Sequence, residues 1–266
     1  MSGFNLTKWY MDCISDDGTA FIGYWARLGW GSLAMEYAAA LFAPAGGEPK
    51  QVHALRSLTA PEIAGAECRW RCTPLRLEGQ WIAQDSPVAR DLLETPSGGI
   101  RWTLHQPRAG AQIRLDTGSG VQEICGLGYV EELELTIPPW HLPFDVLFWG
   151  RFLGPEHALV WIQWERQAAP DESRRRFVFL DGDQVDAAII SDDGVRLPAG
   201  ELRFTESRPL REGPLVGTVL GAIPGLTALL PGRFRGIHEA KRVSRSELQQ
   251  GCALSSGWSI HEVVKW

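Results

Sequence analysis

The chain has 266 residues, 44% of them hydrophobic and 22% charged, with a formal charge of −6 and 12 tryptophans. That length fills one large all-β unit or two smaller domains, and the composition excludes disorder, collagen and coiled coil. The acidic balance excludes nucleic acid as a bulk partner, because neutralising phosphates takes a basic surface, and the isolated run Arg174-Arg175-Arg176 does not reverse it.

The start, Met1-Ser2-Gly3-Phe4-Asn5-Leu6-Thr7-Lys8, has neither the basic opening nor the apolar stretch of a secretory signal. No run of about twenty apolar residues follows anywhere, so a cytoplasmic protein is expected. Cys13, Cys68, Cys72, Cys125 and Cys252 are odd in number and scattered, which predicts reduced, mostly buried thiols rather than a disulfide framework. Cys68 and Cys72 would share a metal only on a helix. The run Ala66-Glu67-Cys68-Arg69-Trp70-Arg71-Cys72 alternates as a strand does, and no metal or other cofactor is expected.

In chain order, Phe21–Arg27 and Ser32–Phe42 form a predicted hairpin around Leu28-Gly29-Trp30-Gly31. Ala66–Cys72, Ile100–Leu104 and Gln112–Asp116 follow as short strands. After the middle come Leu159–Glu165, Phe177–Leu180, Val185–Ile190, Glu201–Thr205, Phe234–Val243 and Trp258–Trp266. Asp17-Gly18, Gly46-Gly47, Gly98-Gly99, Asp181-Gly182 and Asp193-Gly194 mark the turns between alternating runs. Helix signals are few: two turns at Pro87–Glu94, and Ser244–Gln250, where Ser244 would cap and Glu247 lies three residues on. Many short strands with little helix favour closed barrels, which remove exposed sheet edges. Ile14-Ser15-Asp16-Asp17-Gly18 recurs as Ile190-Ser191-Asp192-Asp193-Gly194, mild support for two similar halves. Pro138-Pro139 then places a boundary near Ile137, giving 1–137 and 138–266.

The informative residues in such a chain are acids on the apolar face of a strand, since a buried carboxylate must be paired or protonated. In Tyr129–Leu135, alternation sets Glu131 with Tyr129, Leu133 and Leu135, opposite Val130, Glu132 and Glu134. Glu36 shares a face with Ala34, Ala38, Ala40 and Phe42, small side chains that leave room for a ligand or for a facing bulky residue. Glu262 shares one with Trp258, Ile260, Val264 and Trp266, while His261 points the other way. Each acid is also readable as a structural ion pair with an arginine, for which Arg27, Arg101, Arg151 and Arg235 are at hand, a reading that weighs more for Glu36 and Glu262 than for Glu131.

His141, His157 and His238 lie in turn-like or strand-face settings where histidine is ordinarily solvated. No nucleophile elbow, phosphate loop or zinc-spaced histidine pair is present. Trp140, Trp149, Trp161 and Trp164 crowd together with Phe144, Phe148 and Phe152. They form either a core girdle or the wall of a pocket for an apolar polyene, whose cationic intermediates their π faces would stabilise.

At these residues the chain resembles a known superfamily. Gly126-Leu127-Gly128-Tyr129-Val130-Glu131, Trp149-Gly150-Arg151-Phe152 with Leu159-Val160-Trp161, and Gly257-Trp258-Ser259-Ile260-His261-Glu262 look like the lipocalin-like proteins that include carotenoid 1,2-hydratases and, more remotely, tocopherol cyclases. The resemblance implies two lipocalin-like antiparallel β-barrel halves. It also implies chemistry without a redox cofactor, in which water adds across, or a ring closes onto, an isoprenoid double bond. An acid follows the Gly-Tyr of the family's central motif, and Glu131 holds that place; the hydratases continue with His, Asn and Trp-Gly, whereas here Glu132-Leu133-Glu134-Leu135-Thr136 follows.

Two functions follow from different classes. One is a cofactor-free hydratase or cyclase with Glu131 as general acid, Glu36 or Glu262 as a second polar group, and Tyr129, Trp149, Trp161, Trp25 and Trp258 walling the pocket. The other is a lipocalin-like protein that binds the same apolar small molecule without turning it over. A lipid-like ligand would also bring the protein into peripheral contact with membranes, although no basic amphipathic helix marks such contact.

Overall fold

The computed structural model describes residues 3–55, 58–118, 120–214 and 236–266. The chain divides into Met1–Pro139 and Trp140–Trp266, and each unit is built on its own antiparallel sheet. The first unit holds β1 (Phe4–Ile14), β2 (Ala20–Trp30), β3 (Leu33–Ala43), β4 (Lys50–Leu55), β5 (Glu62–Ala64), β6 (Glu67–Cys72), β7 (Leu77–Ala83), β8 (Val88–Thr95), β9 (Gly98–Asp116) and β10 (Val121–Leu135). The second holds β11 (Val146–Leu153), β12 (Ala158–Glu165), β13 (Arg175–Leu180), β14 (Asp183–Gln184), β15 (Ile189–Ser191), β16 (Gly194–Leu197), β17 (Gly200–Pro214), β18 (His238–Gln250) and β19 (Ala253–Lys265).

The strand orders are β4-β3-β2-β1-β10-β9-β7-β6-β5, with β8 on β9, and β14-β13-β12-β11-β19-β18-β17-β16-β15. In both, the first strand of the unit lies between the second and the last. The first sheet curls far enough for Trp70 of β6 to lie over Gly23 of β2, where an added Cβ would sit 2.7 Å from the indole. Inside that curl pack Met11, Cys13, Phe21, Phe42, Trp70, Trp81 and Ile113. The second sheet wraps Phe152, Leu159, Trp161, Val178, Leu202 and Leu248 in the same way. The all-β, two-half, lipocalin-like expectation therefore holds.

Local expectations fare less evenly. Pro87–Glu94 is strand β8 rather than helix, with Leu92 and Leu93 both buried across a register shift. Ser244–Gln250 is the body of β18: Ser244 caps nothing and instead hydrogen-bonds Ser207 and His261 inside the second sheet. Ile100–Leu104 and Gln112–Asp116 are parts of one strand, β9. Val185–Ile190 is broken at Ala187, whose φ of +57° leaves the extended region. The start of Phe234–Val243, with Arg235, lies outside the described residues.

The repeated pentapeptide occupies the β1–β2 turn and the β15–β16 turn, which are not equivalent in the shared order. Its residues serve turn chemistry: Asp17 Oδ1 accepts the Ser15 hydroxyl at 2.6 Å and the Thr19 N–H at 2.9 Å. Cys68 and Cys72 lie on β6, about 13 Å apart at the ~3.3 Å rise of a strand, too far to share a metal. Among the described residues no helix is long and apolar enough to cross a membrane.

Candidate functional site

The β1–β10 ladder is regular and sets Tyr10 directly across from Glu131, and Tyr24 of β2 across from Tyr10. Paired residues in a sheet share a face, so Tyr10, Tyr24, Tyr129 and Glu131 gather on the face turned away from the first unit's core. Glu131 is 8% exposed. Its Oε2 accepts the Tyr129 hydroxyl at 2.6 Å and the Trp102 indole N–H at 2.6 Å. Two hydrogens already point at Oε2, so a proton on this carboxyl is carried by Oε1. The Tyr10 ring meets Tyr129 edge-on at 6.0 Å and Tyr24 at 5.4 Å, and the Lys8 ammonium lies 5.4 Å from the Tyr24 centroid. Asp12 is fully buried on the same face.

Glu36 is not part of this cluster. Its cross-strand neighbours are Arg27 on β2 and, through Trp25, the Ala38 row, all on the core face, so it cannot serve as the second polar group beside Glu131. Among the described residues no ion pair holds it; its Oε2 accepts the Leu58 N–H at 2.9 Å. Trp25 stands on the core face too, opposite Trp9. Close by on that face, His105 stacks on Trp9 at 4.7 Å, with the planes 7° apart, and its Nε2 lies 2.8 Å from Glu132 Oε2. No single strand's alternation contains this pair: the β9–β10 register sets Thr103 across from Glu132 and His105 just beyond it, beside two extra residues that β9 carries opposite Gly128–Glu131. Pro107, a residue unable to donate to the ladder, is the signal that a bulge was due.

In the second unit, Glu262 faces Trp149 of β11 and Lys241 of β18. Its partner is a lysine rather than an arginine: Lys241 pairs with Glu262, lies 3.7 Å from Glu239, and holds its ammonium 5.1 Å from the Trp149 centroid. Arg211 closes the group on Glu239 at 2.5 Å. Burial, and then Glu262, push Glu239 above the usual carboxylate range, against the pull of Lys241 and Arg211. Of the other arginines proposed as partners, Arg101 binds Asp91 at 3.1 Å and Arg151 donates to the Trp258 carbonyl at 2.8 Å. Trp258 shares the Glu262 face and lies under Arg245.

Trp161 stands apart from Trp149. Its register partner is Gly150, so it projects into the second unit's core while Trp149 projects from the opposite face, and the two cannot wall one pocket in this unit. An added Cβ at Gly150 would lie 2.2 Å from Trp161 Cζ2, which is why the Trp-Gly pair is required there. Beyond Trp161 the core turns polar. His261 stacks on Phe204 at 4.1 Å and lies 2.8 Å from Ser244 Oγ. Burial, then Arg242 and Lys241, push His261 down to about 4.

No family model matches this chain, and no curated protein matches it. Solved structures do. CghA superposes over 100% of this chain and 89% of its own, with a TM-score of 0.66 at 13% identity. NE1406 from Nitrosomonas europaea, provisionally assigned as an AttH, covers 98% and 92% with a TM-score of 0.61 at 12% identity. Kievitone hydratase from Nectria haematococca covers 97% and 88% with a TM-score of 0.57 at 10% identity. At these identities the likeness establishes a shared fold: the chain is a two-unit lipocalin-like protein of the architecture found in these three.

Proposed function

We propose that this chain is a cofactor-independent hydratase or cyclase acting on an isoprenoid or other apolar polyene, with Glu131 as the acid. The observation that carries the reading is the buried Glu131 carboxyl, set among Tyr10, Tyr129 and Trp102 and held by two donated hydrogen bonds on one oxygen. In a hydration, the Oε1 proton passes to one alkene carbon. The cation left on the other carbon is held against the aromatic faces, water adds to it, and the proton that water gives up restores the acid. Tyr129 and Trp102 fix the carboxyl in one rotamer, which leaves less reorganisation for the reaction itself. One neighbour of the same fold is named a hydratase, and CghA has also been solved with Sch210972, which supports a hydratase-type, ligand-binding reading of this architecture.

A second reading, ligand binding without turnover, is favoured by one fact. The Tyr129 and Trp102 donors to Oε2 come from the protein itself, as in a purely structural network. Incubating wild type and Glu131→Gln with a polyprenoid extract in oxygen-18 water, with products followed by mass spectrometry, separates the two. Labelled alcohols or isomeric cyclised products from wild type, absent with Glu131→Gln at unchanged ligand affinity, support the enzyme. Full turnover by the variant removes Glu131 from the mechanism.

A further inference from the structure

The outer face of the first sheet holds a groove of about 720 Å³, within the ~300–1,000 Å³ range of small-molecule sites. Strands β6, β7, β9 and β10 form its floor. Register lines up Arg71, Glu78, Arg114 and Glu123 across those four strands, so cation and anion alternate every ~4.8 Å. A second row, two residues along each strand, runs Arg69, Gln80, Gln112 and Cys125. All of these line the groove, while Trp70, Trp81 and Ile113 between them belong to the core behind.

Neighbours of opposite charge on such rows ordinarily close on each other. Arg71 does so with Glu78 at 3.1 Å, and Arg69 with Glu67 at 2.6 Å. Asp116, further along β9, is taken by Arg76 at 3.1 Å. Arg114 stands by register between Glu78 and Glu123, yet among the described residues neither Arg114 nor Glu123 makes an ion pair or a hydrogen bond. An exposed guanidinium and an exposed carboxylate are left open side by side on the groove floor. A ligand of one charge sign meets an attraction and a repulsion there, whereas one that carries both signs meets two attractions. Gln112 and Cys125, also exposed, lie about 7 Å from that pair along the strands, about two residues' reach of an extended peptide.

We propose that this groove binds a small peptide whose one end carries an ammonium and a carboxylate on the same carbon, as a γ-glutamyl peptide does. The carboxylate takes Arg114 and the ammonium takes Glu123. The first amide meets Gln112, beside Cys125, and the far carboxylate follows the second row toward Arg69. No bond is made or broken. Glu131 lies six residues beyond Cys125 on β10, about 20 Å at the rise of a strand, so the proposal stands whether or not Glu131 is the acid.

The test uses the full chain with S-methylglutathione, whose blocked sulfur cannot exchange with a thiol, and with its N-acetyl derivative, which lacks the ammonium. Calorimetry gives the affinities. Occupancy is read from the rate at which iodoacetamide labels Cys125, with Cys252, exposed on the second unit, as the internal control. S-methylglutathione is expected to bind saturably and to slow labelling at Cys125 alone. Arg114→Gln changes an exposed side chain outside the core and is expected to weaken binding about 10-fold, the loss of one charge-assisted contact. Glu123→Gln is expected to bring S-methylglutathione to the affinity of the N-acetyl form and to leave that form unchanged. Equal slowing of Cys125 and Cys252, equal affinity of the wild type for the two peptides, unchanged affinity in Arg114→Gln, or no binding at all overturns the proposal.

Discussion

His261 makes the stability of the second unit sensitive to acid by an amount that follows from its setting. Buried against Phe204 and Ser244, near Arg242 and Lys241, it titrates at about 4 in the folded chain against about 6.5 when unfolded. The folded pKa is depressed, so the unfolded chain takes up the proton first, and stability present above pH ~6.5 drains away as the pH falls toward ~4. Linkage puts the loss at about 2 kcal/mol between pH 7 and 5, and about 3 kcal/mol between pH 7 and 4. Urea unfolding of wild type and His261→Gln, followed by tryptophan fluorescence at pH 7, 6 and 5, checks it. The variant starts lower because it loses the ring stack, but its stability should fall less steeply by about 2 kcal/mol. The His261 imidazole resonance of the native chain should titrate near pH 4. Parallel profiles for the two proteins, or a native midpoint near 6.5, would refute the claim that this ring is desolvated.

Two further outcomes are expected. Gly150→Ala drives a methyl group into Trp161, whose ring is locked in the core, and should cost about 1–3 kcal/mol in thermal or urea unfolding; a change below 0.5 kcal/mol would mean the ring is free to slide. Cys125 and Cys252 are exposed, whereas Cys13, Cys68 and Cys72 are buried, and burial followed by Glu67 pushes the Cys68 thiol up to about 12. Iodoacetamide at pH 8 should therefore label two thiols in the native chain and five in guanidinium, counted by mass spectrometry.

The parts of the site legible in the sequence are those where the ladder is regular. Alternation put Tyr129 and Glu131 on one face, and the unbroken β1–β10 register delivers them bonded to each other. It also placed Glu36 with Ala38 and Ala40, and Glu262 opposite His261. It said nothing of His105 and Glu132, which meet across the β9–β10 pairing beside the two residues inserted into β9. It was silent on register, and register decides that Trp149 and Trp161, near neighbours in sequence, leave opposite faces of one sheet. Lys241 could not be found as the partner of Glu262 either, because the pairing of β18 with β19 brings them together and no single strand's pattern contains it. The cap signature at Ser244 was real as a local preference. It lost to tertiary demand, since that serine is spent on His261 and Ser207.

In each unit the chain comes in beside the place where it goes out: Leu6 lies across from Leu135, and Val146 from Lys265. The two open edges of each sheet are likewise consecutive strands, β4 with β5 and β14 with β15. Every ladder therefore survives if the old ends are spliced by a tight turn and new ones are cut at the seam between the edge strands, so either unit is a natural cassette for circular permutation. The same arrangement makes doubling easy. A copied gene segment needs only a short connector to place a second such sheet after the first, which is the order this chain presents.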